Sequence, residues 1–197
     1  PSSDQVGARG LANTAVSLLS RLDGGKAAQT QFETATNMTQ QLAALSILVK
    51  NAKADTALAS FYDQWNQDRL VIDKWFVIQI ASASPQHALA AAKQLVEHPD
   101  FSIKNPNRFR SVFLALTGNA AAFHAKDGEG YRFLADWLIE IDKINPQAAA
   151  RTCGAFQSWK RYDPDRQALM KSNMNRILAQ DTLSRDTKEM LTRIVNA

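Results

Sequence analysis

Apolar residues recur at helical spacing along much of the chain. Phe133, Leu134, Trp137, Leu138 and Ile141 form one stripe at 3.6 residues per turn, and Thr187, Met190, Leu191, Ile194 and Val195 form another. Ala88, Ala91, Ala92, Leu95 and Val96 repeat the pattern, as do Met38, Leu42, Leu45 and Val49. No run alternates apolar and polar residues for long enough to predict a half-buried strand. Leu70-Val71-Ile72 and Trp75-Phe76-Val77-Ile78 leave little room for a wet face, which predicts a helix covered on two sides. Trp65, Trp75, Phe76, Trp137 and Trp159 stand at helical spacings and are core candidates.

The helix starts are written in local chemistry. Ser84-Pro85, Asn105-Pro106, Asn145-Pro146 and Asp163-Pro164 each place a capping residue directly before a proline. The capping oxygen accepts an orphan backbone N–H, and proline has no N–H to lose at the first helical position. Gly24-Gly25 predicts the end of a first helix running from about Asp4, and Asp127-Gly128-Glu129-Gly130 a turn before a helix over Tyr131–Asp142. The stretch from His98 to Lys104 is the longest without clear periodicity. About ten to twelve helices joined by short loops follow from this pattern.

Consecutive helices with two-sided burial predict an all-α fold: an α-solenoid of stacked antiparallel helix pairs, HEAT/armadillo-like. No fixed sequence period is present, so any repeat is structural and degenerate. The 197 residues fit a single helical domain, 1–197. The first helix carries Val6, Leu11, Ala15, Leu18, Leu19 and Leu22, thickly apolar for an exposed end, which favours a missing neighbour.

Charge narrows the partners. The net charge is +4, but the 23 basic residues are interspersed with 19 acidic ones. The densest basic stretch, Lys160-Arg161, is followed at once by Asp163 and Asp165. This reads as solvated surface rather than a nucleic-acid face, which would cluster its cations. The one cysteine, Cys153, cannot form an internal disulfide, and its small-residue setting predicts a buried structural thiol. No apolar run approaches the roughly 18 residues that would predict a membrane span, and no basic-then-apolar leader opens the chain. It starts at Pro1 rather than Met, which reads as a piece of something longer.

Motifs for chemistry are missing. His87, His98 and His124 are scattered, no H-E-x-x-H is present, and no metal ligands are assigned. Gly128-Glu129-Gly130 is too short for a phosphate loop and follows no strand. No Gly-x-Ser-x-Gly elbow occurs. No catalytic residue is assigned, and the residues by themselves predict a soluble helical domain.

Seven segments, in order and spread over nearly the whole chain, nevertheless resemble one family. They are Gly7-Ala8-Arg9-Gly10-Leu11-Ala12-Asn13; Asn37-Met38-Thr39 with Leu42-Ala43-Ala44-Leu45; and Phe61-Tyr62-Asp63-Gln64-Trp65 leading to Leu70-Val71-Ile72-Asp73-Lys74-Trp75-Phe76. Asn105-Pro106-Asn107-Arg108-Phe109-Arg110-Ser111 follows, then Phe123-His124 with Asp127-Gly128, Gly130-Tyr131 and Phe133-Leu134. Asn145-Pro146-Gln147 with Ala150-Arg151, and Lys160-Arg161-Tyr162-Asp163 with Arg166-Gln167 and Met170, complete the set. Together they resemble the C-terminal helical region of bacterial aminopeptidase N, the alanyl aminopeptidase group of the gluzincins. The turn Thr117-Gly118-Asn119-Ala120 is about a residue shorter than the family's, and Phe109 stands where an aliphatic residue is more usual.

The resemblance implies a zinc-dependent parent enzyme that removes N-terminal residues from peptides. Its zinc, zinc ligands and general-base Glu would all lie upstream of this chain. This chain would be its C-terminal domain, a bowl of stacked helices that closes the active-site chamber, controls substrate access and packs on the catalytic domain of the same polypeptide. It implies a cytoplasmic protein with no membrane or nucleic-acid partner. It also implies that Arg110, Gln147 and Arg151 line the chamber where the C-terminal part of the peptide substrate lies. Gln147 and Arg151, four apart, share a helix face. The plainer alternative is that the two arginines cap helices or pair with carboxylates across a domain seam. A free-standing helical-repeat scaffold that binds proteins or peptides remains the competing reading of the whole chain.

Overall fold

The capping chemistry sets where the helices begin. In the computed structural model, which describes residues 2–197, Asn105 precedes a helix over Pro106–Gly118 and accepts from the N–H groups of Asn107 (3.1 Å) and Arg108 (3.3 Å). Asn145 accepts from Ala148 N–H (3.0 Å) at the start of Pro146–Thr152, and Asp163 from Arg166 N–H (3.1 Å) at the start of Pro164–Leu178. Each such cap stabilises its helix by about 1 kcal/mol. A helix also begins at Pro85.

Among the described residues the regular structure is helical: α1 (Ser3–Leu19), α2 (Lys26–Thr34), α3 (Met38–Lys50), α4 (Asp55–Trp65), α5 (Arg69–Ala81), α6 (Pro85–Leu95), α7 (Pro106–Gly118), α8 (Ala120–Phe123), α9 (Glu129–Asp142), α10 (Pro146–Thr152), α11 (Pro164–Leu178) and α12 (Arg185–Asn196). Two 3-10 turns, Cys153–Phe156 and Trp159–Arg161, join α10 to α11. The chain divides into two compact units, 1–84 and 85–197.

In the first unit α3 packs on α1, α2, α4 and α5. Ala44, Leu45 and Leu48 of α3 are buried with Phe32, Phe61, Ile72, Trp75, Phe76 and Ile80. Each large side chain removed from water contributes on the order of 1.5–3 kcal/mol. The Trp75 indole N–H donates to the Leu58 carbonyl (3.0 Å), so the ring is buried without an orphaned donor. The expected two-sided burial of α5 is incomplete: Leu70 is 66% exposed and Val77 38%. Only the face carrying Ile72, Trp75, Phe76 and Ile80 is enclosed. The first helix also stops earlier than its glycines suggest. It ends at Leu19, and Gly25, with φ of 93°, caps the start of α2 instead of closing α1. No residue of α1 is buried, and Val6, Leu11, Leu18, Leu19 and Leu22 are each more than half exposed.

In the second unit α9 is central, packing on α8, α10 and α11, while α10 also meets α7 and α12. Phe109, Phe113, Phe123, Tyr131, Leu134, Leu138 and Phe156 are fully enclosed. Trp137 is only partly buried, edge-on to Phe101 in the 98–104 stretch. Helix α9 starts at Glu129, so Gly130 lies inside it rather than in the preceding turn. A Cβ there would sit 2.6 Å from the Phe123 carbonyl oxygen, so glycine is what lets α9 approach the end of α8.

One buried carboxylate ties two helix ends together. Asp142, the last residue of α9, is 4% exposed. It accepts from Ser184 N–H (2.8 Å), Ser184 Oγ–H (2.5 Å) and Thr187 Oγ1–H (2.5 Å). Ser184 in turn caps α12. Trp159 closes the other end, its indole N–H donating to the Ile194 carbonyl (2.9 Å). These ties hold α12 beside α10.

Candidate functional site

Helices α7 and α10 both begin at an Asn-Pro cap, and a pocket of about 230 Å³ opens between them. Its walls are Pro106, Arg110, Leu114, Asn145, Gln147, Ala148, Arg151 and Thr152. All three residues singled out from the sequence, Arg110, Gln147 and Arg151, therefore meet at one concavity. Periodicity alone placed only Gln147 and Arg151 on a common face. That α7 lies against α10, bringing in Arg110 from 41 positions away, is a tertiary fact.

The pocket is electropositive. It holds two guanidinium groups and no carboxylate. Arg110, Gln147 and Arg151 are all exposed, and among the described residues none of their side chains is held by a hydrogen bond or ion pair within the chain. That contrasts with arginines doing structural work nearby. Arg108 is 4% exposed and donates to the Asp100 carbonyl (2.6 Å), Arg166 pairs with Asp163 (2.5 Å) and Arg176 with Asp136 (2.5 Å). Within this chain neither Arg110 nor Arg151 is paired with a carboxylate, and Arg151 stands in the last turn of α10, where a cation complements the helix dipole. The other polar walls are already engaged: Asn145 caps α10, and Thr152 Oγ1–H donates to the Ala148 carbonyl (2.7 Å). Leu114, 50% exposed, supplies an apolar flank. Two unengaged planar forks facing one concavity can take a carboxylate or a peptide carbonyl in bidentate fashion.

A second, wider groove of about 420 Å³ adjoins it on the other side of α10. It is lined by Gln147, Ala150, Arg151, Asp186, Glu189, Met190 and Arg193. Gln147 and Arg151 thus stand on a ridge between the two. Asp186, Glu189 and Arg193 share one face of α12 at i, i+3 and i+7, a spacing visible in the sequence but not used there.

Three further titratable groups, His124, Tyr131 and Cys153, are held in the packing of the second unit. His124 Nδ1 lies 2.9 Å from the Tyr131 hydroxyl, its ring stacks on Tyr162, and its carbonyl accepts from Arg166 Nε–H (2.6 Å). Burial, then the Arg166 charge, lower its pKa. Burial pushes the Tyr131 hydroxyl up to about 12. Cys153 is fully enclosed, and burial, then the Asp142 charge, push its thiol up to about 12, so it is no nucleophile at neutral pH. Among the described residues no three His, Cys, Asp or Glu side chains are grouped so as to hold a metal ion. No helix among the described residues is long and apolar enough to cross a membrane.

Known proteins resemble this chain along most of its length. Residues 1–196 match the family model described as "Domain of unknown function (DUF3458_C) ARM repeats". Aminopeptidase N of Haemophilus influenzae is 40% identical over 173 residues, covering 86% of this chain and 20% of that protein. Aminopeptidase N of Escherichia coli is 40% identical over 166 residues (83% and 19%), and that of Caulobacter vibrioides 37% over 165 (82% and 19%). The crystal structure of Legionella pneumophila aminopeptidase A in complex with aspartic acid superposes with a TM-score of 0.91 at 35% identity. It covers 98% of this chain and 23% of that one. The chain spans about a fifth of the length of the curated relatives it matches. With an all-helical fold, a match from end to end and relatives this similar, the chain belongs to the DUF3458_C ARM-repeat family, in the form carried by bacterial aminopeptidases.

Proposed function

We propose that residues 1–197 form one non-catalytic helical domain, the C-terminal one, of a zinc-dependent aminopeptidase. In this reading the domain closes the active-site chamber and controls access of peptides. A catalytic domain elsewhere in the same polypeptide supplies the zinc and the bond-breaking chemistry, and the protein is cytoplasmic. The observation that carries the reading is the pocket between α7 and α10. Arg110 and Arg151 face it with no carboxylate among its walls, beside Gln147. A peptide presents one full negative charge at its C-terminus, and guanidinium pairs are built to take it. In a partly enclosed chamber that contact is stronger than in water. The exposed apolar residues of α1 support a covering neighbour in the parent. The fivefold greater length of the relatives favours this over a free-standing scaffold.

Arg151→Ala in the full-length polypeptide tests the reading. The expected result is a kcat/KM loss of about tenfold on short peptides with a free carboxylate, as for a lost charge-assisted hydrogen bond. Peptide amides and anilides should lose much less. Equal loss on both sinks the carboxylate role. The chain alone is expected to hydrolyse no alanine anilide, and unaided turnover would refute the non-catalytic assignment.

A further inference from the structure

One terminal carboxylate occupies one planar fork, yet the pocket between α7 and α10 holds two. Arg151 has a helical reason to be basic, in the last turn of α10, and Asp186 and Glu189 border it from the adjoining groove. Arg110 has neither. It stands in the N-terminal half of α7, where a cation gains nothing from the dipole. Its surroundings are also short of acid. Helix α7 contains no Asp or Glu, and neither do α6, α8 and α10, which pack on it. Helix α9 meets α7 through Phe113, which lies against Phe133 and Trp137. The acids of α9 are all engaged elsewhere: Glu129 by Lys93 and Arg132, Asp136 by Arg176, Glu140 by Lys143, and Asp142 by Ser184 and Thr187.

An unneutralised cation beside a carboxylate site fits a ligand with a second negative charge. Resting on the reading of this pocket as the place of the peptide's C-terminus, we propose that Arg110 selects peptides whose last residue is aspartate or glutamate. The terminal carboxylate meets Arg151, and the side-chain carboxylate meets Arg110 across the pocket. The amide of Gln147 donates to either. Leu114, one turn beyond Arg110 on the same face and 50% exposed, gives the methylenes of the acidic side chain an apolar contact. The size agrees. A volume of about 230 Å³ is below the roughly 300–1,000 Å³ of sites that enclose a drug-sized ligand, so the pocket takes the end of a peptide and not its length. Because Arg110 is exposed, the contact is modest and screened by salt, and the preference is a few-fold, not absolute.

The test uses the full-length polypeptide and paired tripeptides of alanine ending in glutamate or in glutamine, its uncharged isostere. The expected ratio of kcat/KM, glutamate over glutamine, is about three- to fivefold at low salt, the size of an exposed ion pair. It should shrink as salt rises. In Arg110→Gln the ratio should fall to near one, whatever the variant does to either peptide alone. Arg110→Lys keeps the charge without the fork and should keep part of the preference. A ratio near one in the unaltered protein, or an unchanged ratio in Arg110→Gln, overturns the proposal. Either leaves the chamber reading standing if Arg151→Ala still weakens free-acid peptides more than amides. Equal loss on acids and amides in Arg151→Ala overturns both.

Discussion

Asp142 clamps the start of α12 to the end of α9. Replacing it with alanine removes three acceptor contacts, to Ser184 N–H, Ser184 Oγ and Thr187 Oγ1, at 2.5–2.8 Å. Hydrogen bonds to a charged group contribute about 1.5–3 kcal/mol each, but they are not additive where hydroxyls can rotate to other partners. Thr187 is fully buried, and its one alternative acceptor, the Pro146 carbonyl, is already 3.5 Å away. The Ser184 hydroxyl can still cap α12 through Thr187 N–H (3.3 Å). The expected loss is therefore about 3–4 kcal/mol for Asp142→Ala, below the simple sum. Asp142→Asn keeps the shape and one acceptor but turns a donor toward donors, at about 2 kcal/mol. Urea unfolding, followed by hydrogen exchange of the α12 amides and by Trp159, whose indole is tied to Ile194, reads the change where it occurs. With a slope of about 2 kcal/mol per molar, the alanine variant should lose about 1.5–2 M in midpoint at unchanged slope. A loss under about 0.5 kcal/mol, or α12 amides as protected as before, would refute the clamp.

Three further outcomes follow. Gly130→Ala should destabilise by about 1–3 kcal/mol, although alanine is the better helix former by about 1 kcal/mol, because its Cβ would press on the Phe123 carbonyl; a gain in melting temperature contradicts this. Since the native pKa of His124 lies below its ordinary 6.5, the unfolded chain binds more protons there than the native one. Stability should fall as pH drops below about 6.5, and His124→Gln should flatten that slope, with His98, which burial also lowers, contributing in the same range and Glu129 and Asp163, held low by Lys93 and Arg132 and by Arg166, at more acid pH. Cys153 should resist a thiol reagent at pH 8 in the native chain and react fully in denaturant; rapid native labelling would place it at the surface.

What could be read from the sequence was what depends on neighbours in the chain. The three Asn-Pro and Asp-Pro caps observed bonding backbone N–H groups, at Asn105, Asn145 and Asp163, involve atoms within three residues of each other. The stripes through α3, α6, α9 and α12 likewise need only the helical period. Misreadings arose where a residue has two conformational uses. Gly25 can end a helix or precede one in the left-handed region, and here it precedes α2. Gly130 suggested a turn, yet its missing Cβ serves helix contact. Leu70 and Val77 show that an apolar run does not specify how many sides are covered. The Asp142 clamp, with partners 42 and 45 positions away, leaves no local trace. For the site, the resemblance named Arg110, Gln147 and Arg151, but only packing of α7 on α10 joined the first to the others.

The most direct test is a structure of the full-length polypeptide with a short free-acid peptide bound. The account predicts the peptide's terminal carboxylate within about 2.7–3.2 Å of the guanidinium of Arg151 or Arg110, inside an enclosed chamber. A peptide bound elsewhere, with the α7–α10 pocket open to bulk water or both arginines paired to acids of another domain, would contradict it.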